Sequence, residues 1–500
     1  MCRLCDDPGH HAGPLAERAM LAAAGTAMLA AEAGGGAGGG TATRTEMPKG
    51  VGEAGRRVLI RGGHVMSMDP SVGNFDTGDV LIEGSRIVEV GASIDAGDAE
   101  VIEASGRVVM PGFIDTHHHQ FETALRSQLA HAVLINDGRP ENVRNYYETV
   151  LQSLSLGYTP EDVYINELYG GLSQIDAGVT TVMDVSQIHH SPAHSDAAIQ
   201  GLTDAGRRAV FGYFEGWGDD NRYPDDAARI RDGYFASDDQ LLTMVMGGEI
   251  YLPGWERTWE IGRELGLPVA LHVVGTFGMQ PTFDQLAEDG RFGADNIFIH
   301  MTGMSDMAWQ RAADAGAHVS LSVPIEMHMR HGTPPIQKAL DLRMGISLSS
   351  DVECTMTADP FTQMRSTITL QRMFANAAAL EGDADHPRLL QCAEVLGMAT
   401  IGGARGLRLD GVTGSLTPGK AADVVLLDAT AINVAPLNNV PGAVVTLMER
   451  SNVETVLCDG RIRKWRGALV GHDLPKLRGE LEESRDRVFA AAGIERALFG

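Results

Sequence analysis

Between residues 113 and 409, short apolar runs rich in β-branched residues alternate with stretches of helical period, and eight such runs can be counted. That alternation constrains the chain more than any other feature. A strand, a helix and a further strand build a parallel sheet, and eight repeats close it into a (β/α)8 TIM-like barrel, an α/β fold. The runs are GFIDTHHH, VTTVMDV, RAVFGYF, LTMVMGGEIY, PVALHVV, NIFIHM, HVSLSVPI and ISLSSDV, with clear helices such as TWEIGRELGL and SDMAWQRAADAG between the later ones. In such a barrel, residues at the C-terminal ends of the strands share one face, and chemistry gathers there.

The flanks differ in texture. RVLIRGGHVMSM, DVLIEGSRIVEVG and AEVIEASGRVVMPG before the barrel, and KAADVVLLDA and VETVLCDGRIRKWRGALVG after it, are short strand-like runs broken at Gly or Asp pairs. Asp459-Gly460 is a strong type I′ hairpin signal. The expectation is an antiparallel, composite β-sandwich formed by N- and C-terminal segments, residues 57–112 plus 410–471, bracketing a barrel over 113–409. Residues 472–500 read as a C-terminal helical tail. Residues 1–56, rich in Ala and Gly with GGGAGGG at 34–40, read as a flexible leader.

Within the leader, Cys2-x-x-Cys5 with His10 and His11 has metal-binding residue types, but in a flexible terminus such a grouping does not make a site. Residues 19–31 have the length of a signal h-region yet lack a basic start, because Asp6, Asp7 and Glu17 offset Arg3 and Arg18. The expected location is cytoplasmic, with degenerate twin-arginine-type export as the alternative. Five scattered cysteines fit a reducing compartment.

Several strand runs end in a metal-binding side chain: His117 and His119 on the first, His272 on the fifth, His300 on the sixth and Asp351 on the eighth. Residues two apart on a strand share a face, so His117 and His119 can both point to the barrel axis while His118 points away. A third imidazole from His272 and a carboxylate from Asp351 complete a nitrogen and oxygen set suited to zinc, or to iron or manganese.

With PGFIDTHHH at 111–119, ALHVV at 270–274, FIH at 298–300, SSD at 349–351 and the tail ATIGGARGLRL…GSLTPGKAADVVLLD, the sequence resembles the amidohydrolase superfamily over about residues 57–471. The likeness is to its cytosine deaminase and chlorohydrolase-like (triazine hydrolase) branch. It implies a barrel with a composite sandwich, one divalent metal on His117, His119, His272 and Asp351, and a sixth-strand histidine, His300, that steadies the attacking or substrate oxygen. The carboxylated lysine of two-metal relatives has no candidate in LTMVMGGEIYL.

The resemblance implies attack of metal-activated water on a polarised carbon and expulsion of an amine. The branch's usual proton shuttle, a glutamate three residues after the fifth-strand histidine, is here Gly275. Asp351 is the economical replacement. Glu249, Glu326 and Glu353 also fall near strand ends, and Glu326 is the preferred reserve because relatives place substrate-contacting residues in its segment. Asp184, His189 and His190 read equally as pocket groups or as structural ones. Phe214, Trp217, Tyr251 and Trp255 read either as an aromatic pocket or as a seal over the core.

The expected activity is therefore hydrolysis of a non-peptide carbon–nitrogen bond (amide, amidine or ring amino group) in a small cyclic or aromatic substrate. Dechlorination or decarboxylation at the same metal, or a non-catalytic scaffold, are the alternatives. A formal charge of -26 without a Lys/Arg stripe argues against nucleic acid as a partner. No run reaches the roughly 18 apolar residues of a membrane span. The resemblance also admits assembly as a homo-oligomer.

Overall fold

The computed structural model describes residues 46–499 apart from Val143 and Asp238, and residues from Met47 onward form one compact unit. Cys2, Cys5, His10, His11 and the apolar segment 19–31 lie outside the described residues. The described end of the expected leader is packed: Val51 rests on the flanking sheet's core, and Arg56 pairs with Glu100 at 2.9 Å.

Eight parallel strands follow one another in sequence order around the barrel: Phe113–His118, Val179–Ser186, Arg208–Tyr213, Leu242–Gly247, Val269–Val274, Asn296–Thr302, His318–Leu321 and Gly345–Leu348. Most of their residues are buried on both faces, as a parallel sheet covered by helices requires. Ile114, Met183, Val210, Val245, Ala270 and Ile297 fill the interior.

The first and eighth strands close the barrel through backbone bonds at their functional ends, with Thr116 Oγ1 also reaching Ser347 Oγ at 2.7 Å. The Asp351 N–H donates to the His117 carbonyl at 3.0 Å, and the His119 N–H donates to the Asp351 carbonyl at 2.9 Å. Barrel closure and the metal-binding residue types thus share the same few backbone bonds.

Local signals account for the connections. Thr159 and Asp162 form a reciprocal cap on the helix Pro160–Asp176, whose first residue is proline. Gly206, at φ +73°, ends the helix Pro192–Ala205 in the left-handed conformation. The seventh run is shorter than its apolar pattern suggests: the strand stops at Leu321, and Val323–His328 is a helix that begins with a proline in its first turn.

The flanking segments form a nine-stranded sheet that is mixed, not antiparallel throughout. Glu100–Glu103 and Arg107–Pro111 run parallel to Arg57–Met66. Arg107–Pro111 pairs antiparallel with Val424–Asp428, which joins the two ends of the chain. The sheet's own core is built from Val58, Ile60, Ile82, Val109, Val424 and Leu426.

The hairpin between Val453–Cys458 and Arg461–Trp465 turns at Asp459 and Gly460, both with positive φ (+50° and +77°), as a type I′ turn demands. The C-terminal helix Leu474–Ala491 packs on Pro160–Asp176 and is anchored by Arg487 on Asp162 at 2.5 Å. Among the described residues no helix is long and apolar enough to cross a membrane.

Candidate metal centre

Strand parity places His117 and His119 on the inner face of the first strand, with Nε2 atoms 2.9 Å apart. His272 brings its Nε2 to 3.1 Å from that of His117. Asp351 lies 3.5 Å from His119 Nε2 and 3.8 Å from His117 Nε2 through Oδ1, and its Oδ2 is 3.4 Å from His300 Nε2. His118 stands apart, with Nδ1 2.9 Å from the Asp351 carbonyl. Asp351 and His300 hold positive φ, +64° and +68°. That conformation costs a non-glycine residue energy, and such strain concentrates at functional sites.

The protonation of the ring nitrogens follows from their partners. Glu249 Oε1 takes the His272 backbone N–H at 3.2 Å and His272 Nδ1 at 2.6 Å, so Nδ1 carries a hydrogen and Nε2 is the nitrogen turned to the cluster; burial lowers the His272 pKa, but the Glu249 carboxylate outweighs it and raises it overall. Glu326 Oε1 takes the Ser322 N–H at 2.8 Å and His300 Nδ1 at 3.2 Å, which leaves His300 Nε2 bare. Burial holds His117, His119 and His300 neutral by pushing each well below the ordinary imidazole range. Asp351 Oδ2 has no hydrogen-bond partner although it is buried.

Ring nitrogens and a carboxylate oxygen therefore crowd within about hydrogen-bonding distance of one another. A divalent metal satisfies this donor set: zinc–nitrogen bonds of about 2.0–2.1 Å put neighbouring donors roughly 3 Å apart, and His117, His119 and His272, like His117, His300 and Asp351, are close enough to share one ion.

Asp115 braces the arrangement. It accepts Gln174 Nε2 at 2.7 Å and the Ser350 N–H at 3.1 Å, tying the first strand to the segment that carries Asp351. Asp351 itself is pushed up to about 7, chiefly by burial, with the neighbouring His272 working the other way.

The other expectations divide. Glu326 does not line the pocket; it is buried and reaches the site only through His300. Glu249 likewise acts behind His272. Glu353 is turned away to pair with Arg126 at 2.7 Å. Asp184 accepts from Ser186 Oγ at 2.7 Å and from the Gln120 N–H at 3.3 Å, and holds none of the clustered histidines. His189 and His190 bind the backbone carbonyls of Gly212 and Ser155.

Among the four aromatic candidates only Tyr251 lines the pocket. Phe214 belongs to the barrel core, Trp217 is half-exposed, and Trp255 packs on Trp259.

The pocket over the cluster encloses about 390 Å³ including its mouth and is lined by His119, His272, Tyr146, Tyr147, Gln187 and Phe277 among others. Tyr146, Gln187 and the supporting Glu122 and Glu215 are additions to the sequence reading. Glu122 accepts the Tyr146 hydroxyl at 2.6 Å, and Glu215 accepts the Tyr251 hydroxyl. Glu215 stands just past the third strand run and could have been found by position alone. Tyr146 lies in an irregular stretch with no periodic signal.

The amidohydrolase family model matches residues 177–463 of the 500. The chain belongs to the amidohydrolase family. This amidohydrolase is 26% identical to a 5′-deoxyadenosine deaminase of Methanosarcina mazei over 457 residues, covering 87% of this chain and 98% of the relative. It is also 26% identical over 426 residues to a 5-methylthioadenosine/S-adenosylhomocysteine deaminase of Thermococcus kodakarensis, covering 81% and 93%.

Among solved structures, the amidohydrolase is similar to an adenosine deaminase from Xanthomonas campestris with bound zinc, with a TM-score of 0.73 at 22% identity over 87% of this chain and 98% of that one. An atrazine chlorohydrolase from Arthrobacter aurescens complexed with zinc gives 0.72 at 19%, over 86% and 100%. The family makes the chain a metal-dependent hydrolase of carbon–nitrogen bonds in small molecules.

Proposed function

We propose that this amidohydrolase holds one zinc ion on His117, His119, His272 and Asp351 and hydrolyses an amino, amidine or amide group on a flat cyclic substrate. The observation that supports the reading is that His117, His119 and His272, and His117, His300 and Asp351, form two groups sharing His117, each tight enough to hold a metal ion, with Asp351 Oδ2 buried and without a hydrogen-bond partner. When bound, the metal supplies Lewis-acid polarisation and a water acidified toward neutrality.

The protein supplies the rest. Asp351 takes a proton from the attacking water and returns it to the departing amine, the role open to a carboxylate placed beside the metal. His300, fixed by Glu326, lies within reach of the same carboxyl and orients the oxygen that it deprotonates. Tyr147, Tyr251 and Phe277 meet edge to face, with ring centroids 5.0 and 5.3 Å apart, and give a flat substrate an aromatic wall.

The nucleoside deaminase relatives support a ring amino group, whereas Gly275 in place of the usual glutamate supports an amidine or amide. Metal analysis with a panel of adenosine analogues, aminotriazines, amidines and lactams tests the reading. Ammonia or amine release that disappears with chelation and returns with zinc is the expected result. Chloride release alone would favour dechlorination, and an unaffected activity in His117→Ala would overturn the metal assignment.

A further inference from the structure

Gln187 and Tyr251 line the pocket, and both lean on Glu215 behind them. Gln187 Nε2 donates to Glu215 Oε1 at 3.2 Å, and the Tyr251 hydroxyl donates to the same oxygen. Since that oxygen accepts, the Gln187 amide has one orientation, with its NH2 toward Glu215 and its carbonyl turned elsewhere. The carbonyl Oε1 of Gln187 has no partner, and neither do Oε2 of Glu215 and Oε2 of Glu249. The three residues are only 3%, 3% and 1% exposed.

A buried acceptor without a donor is costly, and the Gln187 carbonyl, on a residue that lines the pocket, asks for a hydrogen from the occupant. The described pocket lining contains no lysine or arginine to provide it. Burial and the neighbouring Glu249 hold Glu215 up at about 7, so at neutral pH it is about half protonated and a cation docked beside it would draw it back to the carboxylate. The faces of Tyr147, Tyr251 and Phe277 suit a cation as well.

We propose that the pocket recognises substrates bearing an amidinium- or guanidinium-type group, whose N–H donors meet Gln187 Oε1 with the Glu215 carboxylate behind it. This rests on the reading of the pocket as the substrate site and narrows the substrate class. Gln187, Tyr251 and Glu215 are then the specificity determinants. Glu249 is already engaged by His272 and contributes charge.

The test measures binding without turnover. The zinc-loaded enzyme is titrated calorimetrically with benzamidine, with neutral acetophenone of similar shape, and with benzoate. Benzamidine should bind at least about tenfold tighter than either, and Glu215→Gln and Gln187→Leu should each erase about tenfold of that preference. Equal binding of the three probes would overturn the proposal. So would a preference that survives in the folded variants, since it would then owe nothing to Gln187 or Glu215. Thermal melting identifies a misfolded Glu215→Gln, in which case Gln187→Leu decides. Because product release plays no part, hydrolysis without amidine preference, or preference without hydrolysis, separates this proposal from the functional one.

Discussion

A Cβ built on Gly275 would stand 3.0 Å from the Cα of Gly303, and one built on Gly303 would stand 3.1 Å from the Cα of Gly275. The two backbones touch just past the ends of the fifth and sixth strands, and Gly303 needs its positive φ of +70° to make the pass. The place where the related branch carries its shuttle glutamate is therefore a glycine contact.

Gly275→Glu should accordingly fail to restore the usual shuttle. The crowding costs about 1–3 kcal/mol, and turnover should not rise. Denaturant unfolding and kcat for the best substrate decide the matter; a variant both as stable as wild type and faster would show that the backbone yields at no cost.

Glu249 reaches the cluster through His272. Glu249→Gln keeps the size and one acceptor but removes the charge that backs the 2.6 Å bond to Nδ1. Loss of such a partner lowers metal affinity by about 10–100-fold. Competition with a zinc chromophore should show that loss, and saturating zinc should recover most of the activity. Unchanged zinc affinity would make Glu249 a structural group only.

The barrel and the gathering of His117, His119, His272 and Asp351 at its strand ends were legible because strand periodicity and strand ends are local properties, written in adjacent residues. The supporting contacts were not legible, even where a position was, because Glu122, Glu215 and Glu326 lie 24, 36 and 26 residues from their partners Tyr146, Tyr251 and His300. Glu326 illustrates the difference. Its position after the seventh strand was readable, but the early end of that strand at Leu321 turns its segment into a helix and its carboxyl toward His300. The mixed sheet was missed for a similar reason: strand direction depends on which runs pair, and Arg107–Pro111 chooses Val424–Asp428, far along the chain.

Glu122 gives a pH prediction. Burial pushes its carboxyl up to about 8, whereas in the unfolded chain it ionises near its ordinary value of 4.5. Between those values the folded protein binds more protons than the unfolded one, so stability falls as pH rises through this window, by on the order of 1 kcal/mol per pH unit. Glu122→Gln should flatten that slope and melt higher than wild type at pH 8–9. Melting temperature against pH reads both; parallel curves for the two proteins would refute the assignment.

Arg208 opens the third strand and reaches out of the barrel to Asp423, 3.1 Å from Nε, and to Asp459, 3.3 Å from Nη2, both in the flanking sheet. Asp423 is fully buried and also accepts the Asp459 N–H at 2.7 Å, so the pair fastens the hairpin turn as well as the sheet. Arg208→Met leaves the Asp423 carboxylate without its cation in a site closed to water, which costs about 3 kcal/mol or more. Asp423→Asn in the same background removes the stranded charge and should recover part of the loss. A double-mutant cycle by denaturant unfolding measures the coupling, and strict additivity of the two substitutions would show that the pair does not hold the barrel to the sheet.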